Sequence, residues 1–238
     1  MKKQILQKLV IYSGWLMILF ISACRREDNN SQTIDCTDIN ADVTWEDRGD
    51  GVDYTLTCVL NVNAKLTIEP GVVIVCKSGS GIVINSGGAL KAVGTTDKKI
   101  EFKGETDVQG AWKGLYFKSN SVFNELNHCI VANAGSASFD GNAARKANIR
   151  VALNAQLKIR NTIVSKSAKD GLYVDGLESD ELNPITSFSM NEFTQNAEYP
   201  ISAIGPTATQ LDGMSSTFTG NGRNKVLLRG GRLHGAHT

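Results

Sequence analysis

The sequence predicts an all-β chain that folds as a single-stranded right-handed parallel β-helix of roughly seven coils. Two observations predict this fold: short β-type segments alternate with turn residues along most of the chain, and an apolar–polar–small pattern recurs in its second half. Aromatic residues make up 7% of the chain, which contains 4 prolines and 23 glycines. This composition favours many short strands joined by tight turns over long helices.

The first half of the chain shows the strands most clearly. The β-type segments, each about four residues long, are residues 65–68, 72–75, 81–84, 89–92, 99–102 and 114–117. Turn residues such as Pro70, Gly71, Gly87 and Gly88 separate these segments. None of the segments has the 3.6-residue period of an amphipathic helix. At this point a solenoid, a sandwich and a barrel remain open.

A repeat in the second half decides among these folds. Ile130, Ile163, Phe193 and Phe218 are each followed three residues later by a polar residue and then by a small one, at separations of 33, 30 and 25 residues. A solenoid tolerates such variable spacing because extra residues bulge outward without disturbing the stack. We therefore expect the four apolar residues to lie in one vertical file.

The polar position of this repeat has a structural interpretation. Asn133, Asn196 and Asn221 occupy it in three of the four copies, and Lys166 occupies it in the other. In stacked coils, an asparagine at a turn can bond to the turns above and below it and satisfy buried backbone groups. We predict that the three asparagines form a structural ladder and that Lys166 points outward.

The N-terminus has the organisation of an export signal. Lys2, Lys3 and Lys8 precede an apolar run at residues 9–21, which is short for a membrane span and typical of a signal sequence. The sequence from Ile21 to Cys24 resembles the lipobox of bacterial lipoproteins. That resemblance implies a signal peptide at residues 1–23 and a diacylglycerol on Cys24. We expect a flexible tether over residues 24–44 and the β-helix over residues 45–238.

By analogy with lipoprotein sorting signals, the residues after Cys24 favour the outer membrane, with the protein exposed at the cell surface. Export also places the chain in an oxidising compartment. Cys36 and Cys58 flank the start of the repetitive region, and we expect a disulfide between them. Cys76 and Cys129 lie in apolar strands and are interpreted as buried small hydrophobes. No cysteine or histidine spacing indicates zinc.

The segments 66–74, 81–94, 100–102, 112–117 and 126–135 resemble the successive opening coils of pectate-lyase-like right-handed β-helix lipoproteins. The resemblance extends over about residues 54–231 and implies a fold and a location without implying one activity. In similar chains the helix continues past a Gly-Gly pair such as Gly230-Gly231. Because this sequence ends soon afterwards, at Thr238, we expect a C-terminus that is truncated relative to those chains.

Charge argues against a nucleic-acid partner. Without the three leader lysines the chain has 22 basic and 24 acidic residues, and it has no basic stripe. Residues 46–53 contain spaced acidic side chains but lack the full pattern of a calcium loop. We therefore assign no metal site.

The enzyme alternative is a polysaccharide lyase or hydrolase acting on uronate-containing polymers. A lyase needs an acidic cluster that holds Ca²⁺ and a basic residue that removes a proton. The candidate side chains are Asp170, Asp175, Glu178, Asp180 and Glu181, with Arg160, Lys166 and Lys169 nearby. The acidic residues fall around a turn and in a polar insertion, where solvated carboxylates are common. We assign no catalytic residue and no cofactor, and Ca²⁺ enters under the lyase alternative alone.

We expect a non-catalytic, lipid-anchored surface scaffold that binds glycans or mediates adhesion. Trp45, Trp112 and Tyr199 are the candidates for stacking against sugar rings, whereas Tyr116 and Tyr173 are assigned to core packing. The expected partners are outer-membrane lipid, through acylated Cys24, and a polysaccharide or cell-surface glycan.

Overall fold

A computed structural model describes residues 31–175, 184–204, 211 and 215–229. The predicted signal peptide, Cys24 and the first part of the tether lie outside these residues. Glu178, Asp180, Glu181 and the C-terminal residues from Gly230 onward also lie outside them. No helix in the described part of the chain is long and apolar enough to cross a membrane.

The described strands form three parallel sheets. Sheet 1 contains, in spatial order, β1 (Gln32–Thr33), β3 (Tyr54–Leu56), β6 (Val73–Cys76), β9 (Ile100–Gly104), β12 (Cys129–Ala132), β15 (Ile163–Ser165), β18 (Glu192–Thr194) and β20 (Thr217–Thr219). Sheet 2 contains β4 (Val59–Val62), β7 (Gly81–Ile84), β10 (Leu115–Phe117), β13 (Ala147–Val151), β16 (Asp170–Val174), β19 (Ile201–Ile204) and β21 (Leu227–Arg229). Sheet 3 contains β2 (Val43–Trp45), β5 (Lys65–Ile68), β8 (Ala89–Val93), β11 (Glu125–Asn127), β14 (Leu157–Arg160) and β17 (Ile185–Ser189).

The chain visits sheets 1, 2 and 3 in turn, and each strand pairs in parallel with its counterpart one coil further on. This order is a parallel β-helix, and it confirms the predicted fold class. Within the described ranges, eight levels of sheet 1, seven of sheet 2 and six of sheet 3 agree with the predicted number of coils. A short 3₁₀ helix, Ala143–Arg145, interrupts the strands.

Alternating side chains explain why these segments form a solenoid. Leu60, Ile82, Leu115, Ile149 and Leu172 are register partners on successive strands of sheet 2, and each is fully buried. Burying one such side chain is worth about 1.5–3 kcal/mol. A continuous file of them therefore provides the core that no single coil could form alone.

The four repeat residues form two files and not the single predicted one. Ile130 pairs with Ile163, and Phe193 pairs with Phe218, but Ile163 pairs with Glu192. Because side chains alternate between the faces of a strand, this offset of one residue places Ile130 and Ile163 outside and Phe193 inside. Val164, and not Ile163, is the inward-facing partner of Phe193, and both side chains are fully buried.

The same offset corrects the asparagine ladder. Asn196 Oδ1 accepts a hydrogen bond from Ser167 N at 3.1 Å, and Asn221 Oδ1 accepts one from Asn196 N at 3.1 Å. Asn133 does not join them. It lies one position earlier, with φ 67°, in line with Lys166 (φ 54°), and its Nδ2 donates to Asp107 Oδ1 at 3.1 Å.

Asn148, on β13, takes the place expected for Asn133. Its Oδ1 accepts from Ala134 N at 2.8 Å, and its Nδ2 donates to Ser165 O at 2.6 Å and Val131 O at 3.2 Å. The side chain is fully buried. A long insertion precedes β13, so the residue that completes this corner comes from the next strand in the chain and not from the turn itself.

The solenoid also begins earlier than the predicted boundary at residue 45. β1 pairs with β3, and Ile39 forms an isolated parallel bridge with Val62, so part of the expected tether belongs to the first coil. Cys36 and Cys58 form a disulfide with a Cα–Cα distance of 6.0 Å and join this coil to the next. Cys76 and Cys129 are free and buried, and burial raises the pKa of the Cys129 thiol to about 12.

Candidate ligand-binding surface

Two of the three predicted stacking residues lie in the core. Trp45 is 5% exposed and stacks on Tyr54 with ring centroids 4.9 Å apart. Trp112 is fully buried, and its Nε1 donates to Ala132 O at 2.7 Å. The prediction that these tryptophans stack on sugars is therefore wrong. Trp45 continues the inward-facing file through its register partner Ile68.

The third predicted residue, Tyr199, is partly exposed. The guanidinium of Arg223 lies 5.1 Å from its ring centroid. The backbone N–H of Tyr199 donates to Asp170 Oδ1 at 3.2 Å, which ties the turn before β19 to the start of β16. One face of the Tyr199 ring is thus already occupied by an arginine.

The outer face of sheet 2 contains a shallow groove of about 270 Å³, here called the sheet-2 groove. Its lining residues come from three adjacent coils and from one insertion: Val59, Asn61, Val83, Asn85, Lys113, Tyr116, Lys118 and Phe139. None of these eight side chains is a carboxylate, whereas two are lysines and two are asparagines. Neither lysine forms an ion pair with a described residue.

Strand register positions the floor of the groove. Asn61, Val83 and Tyr116 are partners on β4, β7 and β10, and their side chains all face outward. Strands in a sheet are about 4.8 Å apart, so the floor is about 10 Å long from the first strand to the third. Asn85 and Lys118 directly follow β7 and β10 and extend the floor at one end.

An insertion between β12 and β13 forms one wall of the groove. This insertion, residues 136–146, is called the strap. Phe139 of the strap stacks on Tyr116 with ring centroids 5.3 Å apart, and Lys113 Nζ lies 5.9 Å from the Phe139 ring centroid. A Cβ atom on Gly81 would lie 2.8 Å from two atoms of the Phe139 ring. The ring can therefore lie against the sheet because residue 81 has no side chain.

Amide groups supply hydrogen-bonding capacity at the end of the groove. Asn85 Nδ2 donates to Asn61 Oδ1 at 3.3 Å and to Asn63 Oδ1 at 2.9 Å, and Lys118 Nζ donates to Asn85 Oδ1 at 3.3 Å. Sugar sites commonly combine an aromatic face with a few convergent polar groups. The sheet-2 groove has both, together with two positive charges.

Beside the groove, four charged residues form a closed ring of ion pairs. Asp140 and Arg145 of the strap pair at 2.7 Å, and Arg150 Nη2 lies 2.9 Å from Asp140 and 2.8 Å from Asp175. Arg145 Nε lies 3.4 Å from Asp175 and closes the ring. The Arg150 side chain is 4% exposed, and its guanidinium lies 4.4 Å from the Tyr116 ring centroid. The strap is thus held onto sheet 2 by charges as well as by Phe139.

The ring affects the ionisation of its neighbours. Burial alone would raise the pKa of Asp140, but hydrogen bonds from Arg145, from the Asn142 N–H and from Arg150 hold it well below its ordinary value. Burial raises the pKa of Tyr116, and the nearby Arg150 charge opposes that shift. Asp140 therefore stays ionised and keeps the strap paired across the ordinary pH range.

The acidic residues considered for a lyase site do not converge. Asp175 belongs to the ring, whereas Asp170 lies five residues earlier on β16, about 17 Å away along an extended strand. Asp170 accepts from Tyr199 N, and burial raises the pKa of its carboxyl to about 6.

The basic residues proposed with them are also engaged elsewhere. Lys166 pairs with Asp107 at 2.6 Å, Lys169 with Glu198 at 3.5 Å, and Arg160 with Glu125 at 2.5 Å. Within the described residues, these candidates therefore lie at separate places and do not line one groove.

The acidic segment 46–53 caps the first coils. Asp53 Oδ1 accepts from Arg48 N at 2.6 Å, and Asp53 Oδ2 accepts from Val73 N at 2.7 Å. Asp47 pairs with Lys98 at 3.0 Å. In the ranges that the structure describes, no group of three or more His, Cys, Asp or Glu residues is placed to hold a metal ion.

Sequence reasoning missed most residues of the sheet-2 groove. Lys113 stands inside segment 112–117, yet its spacing does not show that it faces the same groove as Phe139, 26 residues away. The one available signal was Gly81, a glycine at a strand start, where close approach of another group is a common cause.

A comparison of the sequence with protein-family models agrees with the parallel β-helix seen in the structure. Residues 37–151 match a family model described as a pectate-lyase like beta helix domain. Comparisons with curated proteins and with solved structures give no significant match. The matched segment covers the coils that build the sheet-2 groove and the strap, and the same strand order continues beyond it to β21. Residues 37–151 are therefore similar to a pectate-lyase-like β-helix domain.

Proposed function

We propose that this protein is a lipid-anchored surface scaffold that binds acidic glycans in the sheet-2 groove without cleaving them. One observation carries the proposal: the groove combines two lysines, two asparagines and a stacked aromatic pair with no lining carboxylate. The chain outside the leader is slightly acidic, so a groove without carboxylates is a local departure from the rest of the surface.

The lysines favour an anionic ligand. A charge 4 Å from a lysine near a protein surface gains about 4 kcal/mol of Coulomb energy before desolvation is counted. Lys113 and Lys118 flank Tyr116 on the same segment, so a chain-like ligand lying along the groove meets positive charge on both sides of Tyr116. Asn61 Nδ2 already donates to Asp38, and Asn85 already bonds to Asn61, Asn63 and Lys118. Each amide oxygen keeps a second lone pair that can accept from a sugar hydroxyl.

The location is proposed from the leader. The charged start, the apolar run and the Ile-Ser-Ala-Cys sequence support acylation of Cys24 and an outer-membrane address. Several acyl chains would hold the protein on a bilayer durably. On that anchor, a solenoid would display its groove to glycans outside the cell.

Binding to immobilised polysaccharides tests the proposal. The full chain, purified in detergent, is applied to polygalacturonate, alginate and a neutral glucan, with and without Ca²⁺. We expect retention on the acidic polymers and little retention on the glucan. The double variant Lys113→Gln/Lys118→Gln should weaken this binding at least about tenfold, as expected for the loss of two charged contacts.

A matched variant controls for general charge. Lys91 and Lys158 lie on the outer face of sheet 3, where they flank Glu125 in register. Lys91→Gln/Lys158→Gln removes the same charge and should leave binding unchanged. Equal losses of binding in both double variants would refute the proposal that the ligand binds in the sheet-2 groove. Unsaturated sugar products absorbing in the ultraviolet would overturn the non-catalytic assignment in favour of a lyase.

A further inference from the structure

Arg229, at the end of β21, lies over the outer face of sheet 2 against Tyr173, which is two strands along the sheet from the groove residue Tyr116. Its guanidinium carbon is 3.7 Å from the ring centroid of Tyr173. Nη1 donates to the Tyr173 hydroxyl, and Nη2 donates to Val174 O and, at 3.5 Å, to Ser202 O. All these acceptors are neutral, and no described carboxylate forms an ion pair with Arg229.

Two hydrogen-bonding groups at this place have no partner among the residues that the structure describes. The Nε of Arg229 is buried without an acceptor, and the hydroxyl of Ser202 is buried without any hydrogen bond. Ser202 is 1% exposed and is the register partner of Tyr173 on the next strand. The Tyr173 hydroxyl accepts from Arg229, which leaves its own proton available. Buried groups of this kind cost free energy unless something binds them.

The local charge is also unbalanced. Asp175, a described carboxylate that acts on the charge of Arg229, is already paired with Arg145 and Arg150. Asp170 interacts with Arg229 over a longer distance, but its carboxylate accepts the Tyr199 N–H. In the ring beside the groove, two arginines face two aspartates, whereas Arg229 brings a further positive charge that no carboxylate of the described residues pairs with.

We propose that Arg229, Ser202 and Tyr173 bind one oxyanion group, such as a sulfate, phosphate or carboxylate. The anion supplies the acceptor that Arg229 Nε and the Ser202 hydroxyl lack, and it neutralises the guanidinium. Arg229 itself is half-buried, so one side of the site opens to solvent. This site does not depend on the proposed function, since none of its residues lines the sheet-2 groove.

Titration with inorganic sulfate tests the site. The full chain in detergent is unfolded by heat at rising sulfate concentration, with chloride used to keep the ionic strength constant. A ligand that binds the folded state raises the unfolding temperature as its concentration exceeds the Kd. We expect such a rise in the wild type, and an apparent affinity at least about tenfold weaker in Arg229→Gln.

Arg223 provides a matched control, because it also lies over a tyrosine ring and its loss removes the same charge. Arg223→Gln should respond to sulfate like the wild type. Ser202→Ala guards against a folding defect in Arg229→Gln: its hydroxyl has no partner to lose, so stability without sulfate should be unchanged while sulfate binding weakens several-fold.

The outcomes separate clearly. Equal sulfate responses in the wild type, Arg229→Gln and Ser202→Ala would overturn the proposal, as would no response in the wild type. Glucose 6-sulfate, titrated beside inorganic sulfate, identifies the source of the anion. Tighter binding of the sugar ester supports a site for a glycan substituent, and equal or weaker binding supports a site for the free ion.

Discussion

Sheets 2 and 3 follow the same spiral but differ in what covers their outer faces. On sheet 3, Arg160 pairs with Glu125 at 2.5 Å while its side chain is 38% exposed. On sheet 2, Arg150 pairs with Asp175 at 2.8 Å with its side chain 4% exposed. The strap covers sheet 2 beside this pair. Strand register therefore places an ion pair, whereas a distant insertion determines whether that pair is buried.

The largest expected effect comes from breaking the buried ring. Arg150→Ala removes the more buried of the two arginines that pair with Asp140 and Asp175 and leaves only Arg145 to pair with them. We expect a loss of about 3 kcal/mol in the free energy of unfolding, the lower end of the range for a broken buried ion pair. Arg160→Ala on sheet 3 should cost about 0–1 kcal/mol, because exposed pairs contribute little. Urea denaturation of both variants measures the difference. Similar losses of unfolding free energy in Arg150→Ala and Arg160→Ala would contradict the claim that burial under the strap makes the sheet-2 ion pair stronger.

A pH effect tests burial at the start of β16. The pKa of Asp170 is raised to about 6 in the folded protein, above its ordinary value of 3.8. The folded state therefore binds the proton more tightly, so this group's stabilising contribution is present below pH 4 and is lost as pH rises through 6. The loss amounts to at most ~3 kcal/mol.

Denaturation at a series of pH values, compared between the wild type and Asp170→Asn, measures that contribution. We expect the wild type to lose stability between pH 4 and pH 7 relative to Asp170→Asn. The exposed Asp97→Asn serves as the control and should follow the wild type. Parallel stability curves for all three proteins would contradict a perturbed Asp170.

A smaller loss of stability is expected from substitutions at the corner between sheets 1 and 2. Asn148→Ala leaves the Ala134 N–H and two carbonyl oxygens without their side-chain partner, and we expect a loss of about 2 kcal/mol. Asn133→Gly should cost less than about 1 kcal/mol, since glycine suits the positive φ and no buried backbone group loses a bond. The free energies of unfolding of the two variants measure this difference. A larger loss in Asn133→Gly than in Asn148→Ala would support a ladder that contains Asn133.

The smallest effect concerns the contact between strap and sheet. Gly81→Ala pushes a methyl group against the Phe139 ring, and we expect a loss of about 1 kcal/mol. In a Phe139→Ala background the same change should cost clearly less, because the two closest contacts are gone and only Lys113 Cβ, at 3.1 Å, remains. A double-mutant cycle by urea denaturation measures this coupling. Additive losses would show that Phe139 does not rest on Gly81.

The sequence predicted what depends on local alternation. Strands such as Lys65–Ile68 and Gly81–Ile84 follow from their residue pattern, and the repeats indicated the stacking. The register between Ile163 and Phe193 could not be predicted from repeat letters, because a one-residue shift changes the face and leaves the local pattern intact.

The candidate site was harder to predict because it is assembled across coils. Phe139 meets Gly81 from 58 residues away, and nothing local marks either as a partner of the other. The prediction for Trp45 and Trp112 was wrong for a different reason. An aromatic side chain suits a sugar site and a core equally well, and the residue type does not show which way the side chain points.

Hydrogen–deuterium exchange of the full chain, with and without an acidic oligosaccharide, tests most directly whether the outer face of sheet 2 is the ligand-binding surface. We expect slower exchange in peptides covering residues 113–118 and the strap, and unchanged exchange in peptides covering β11 and β14 of sheet 3. Slower exchange confined to sheet 3, or no change anywhere at saturating ligand, would contradict the account.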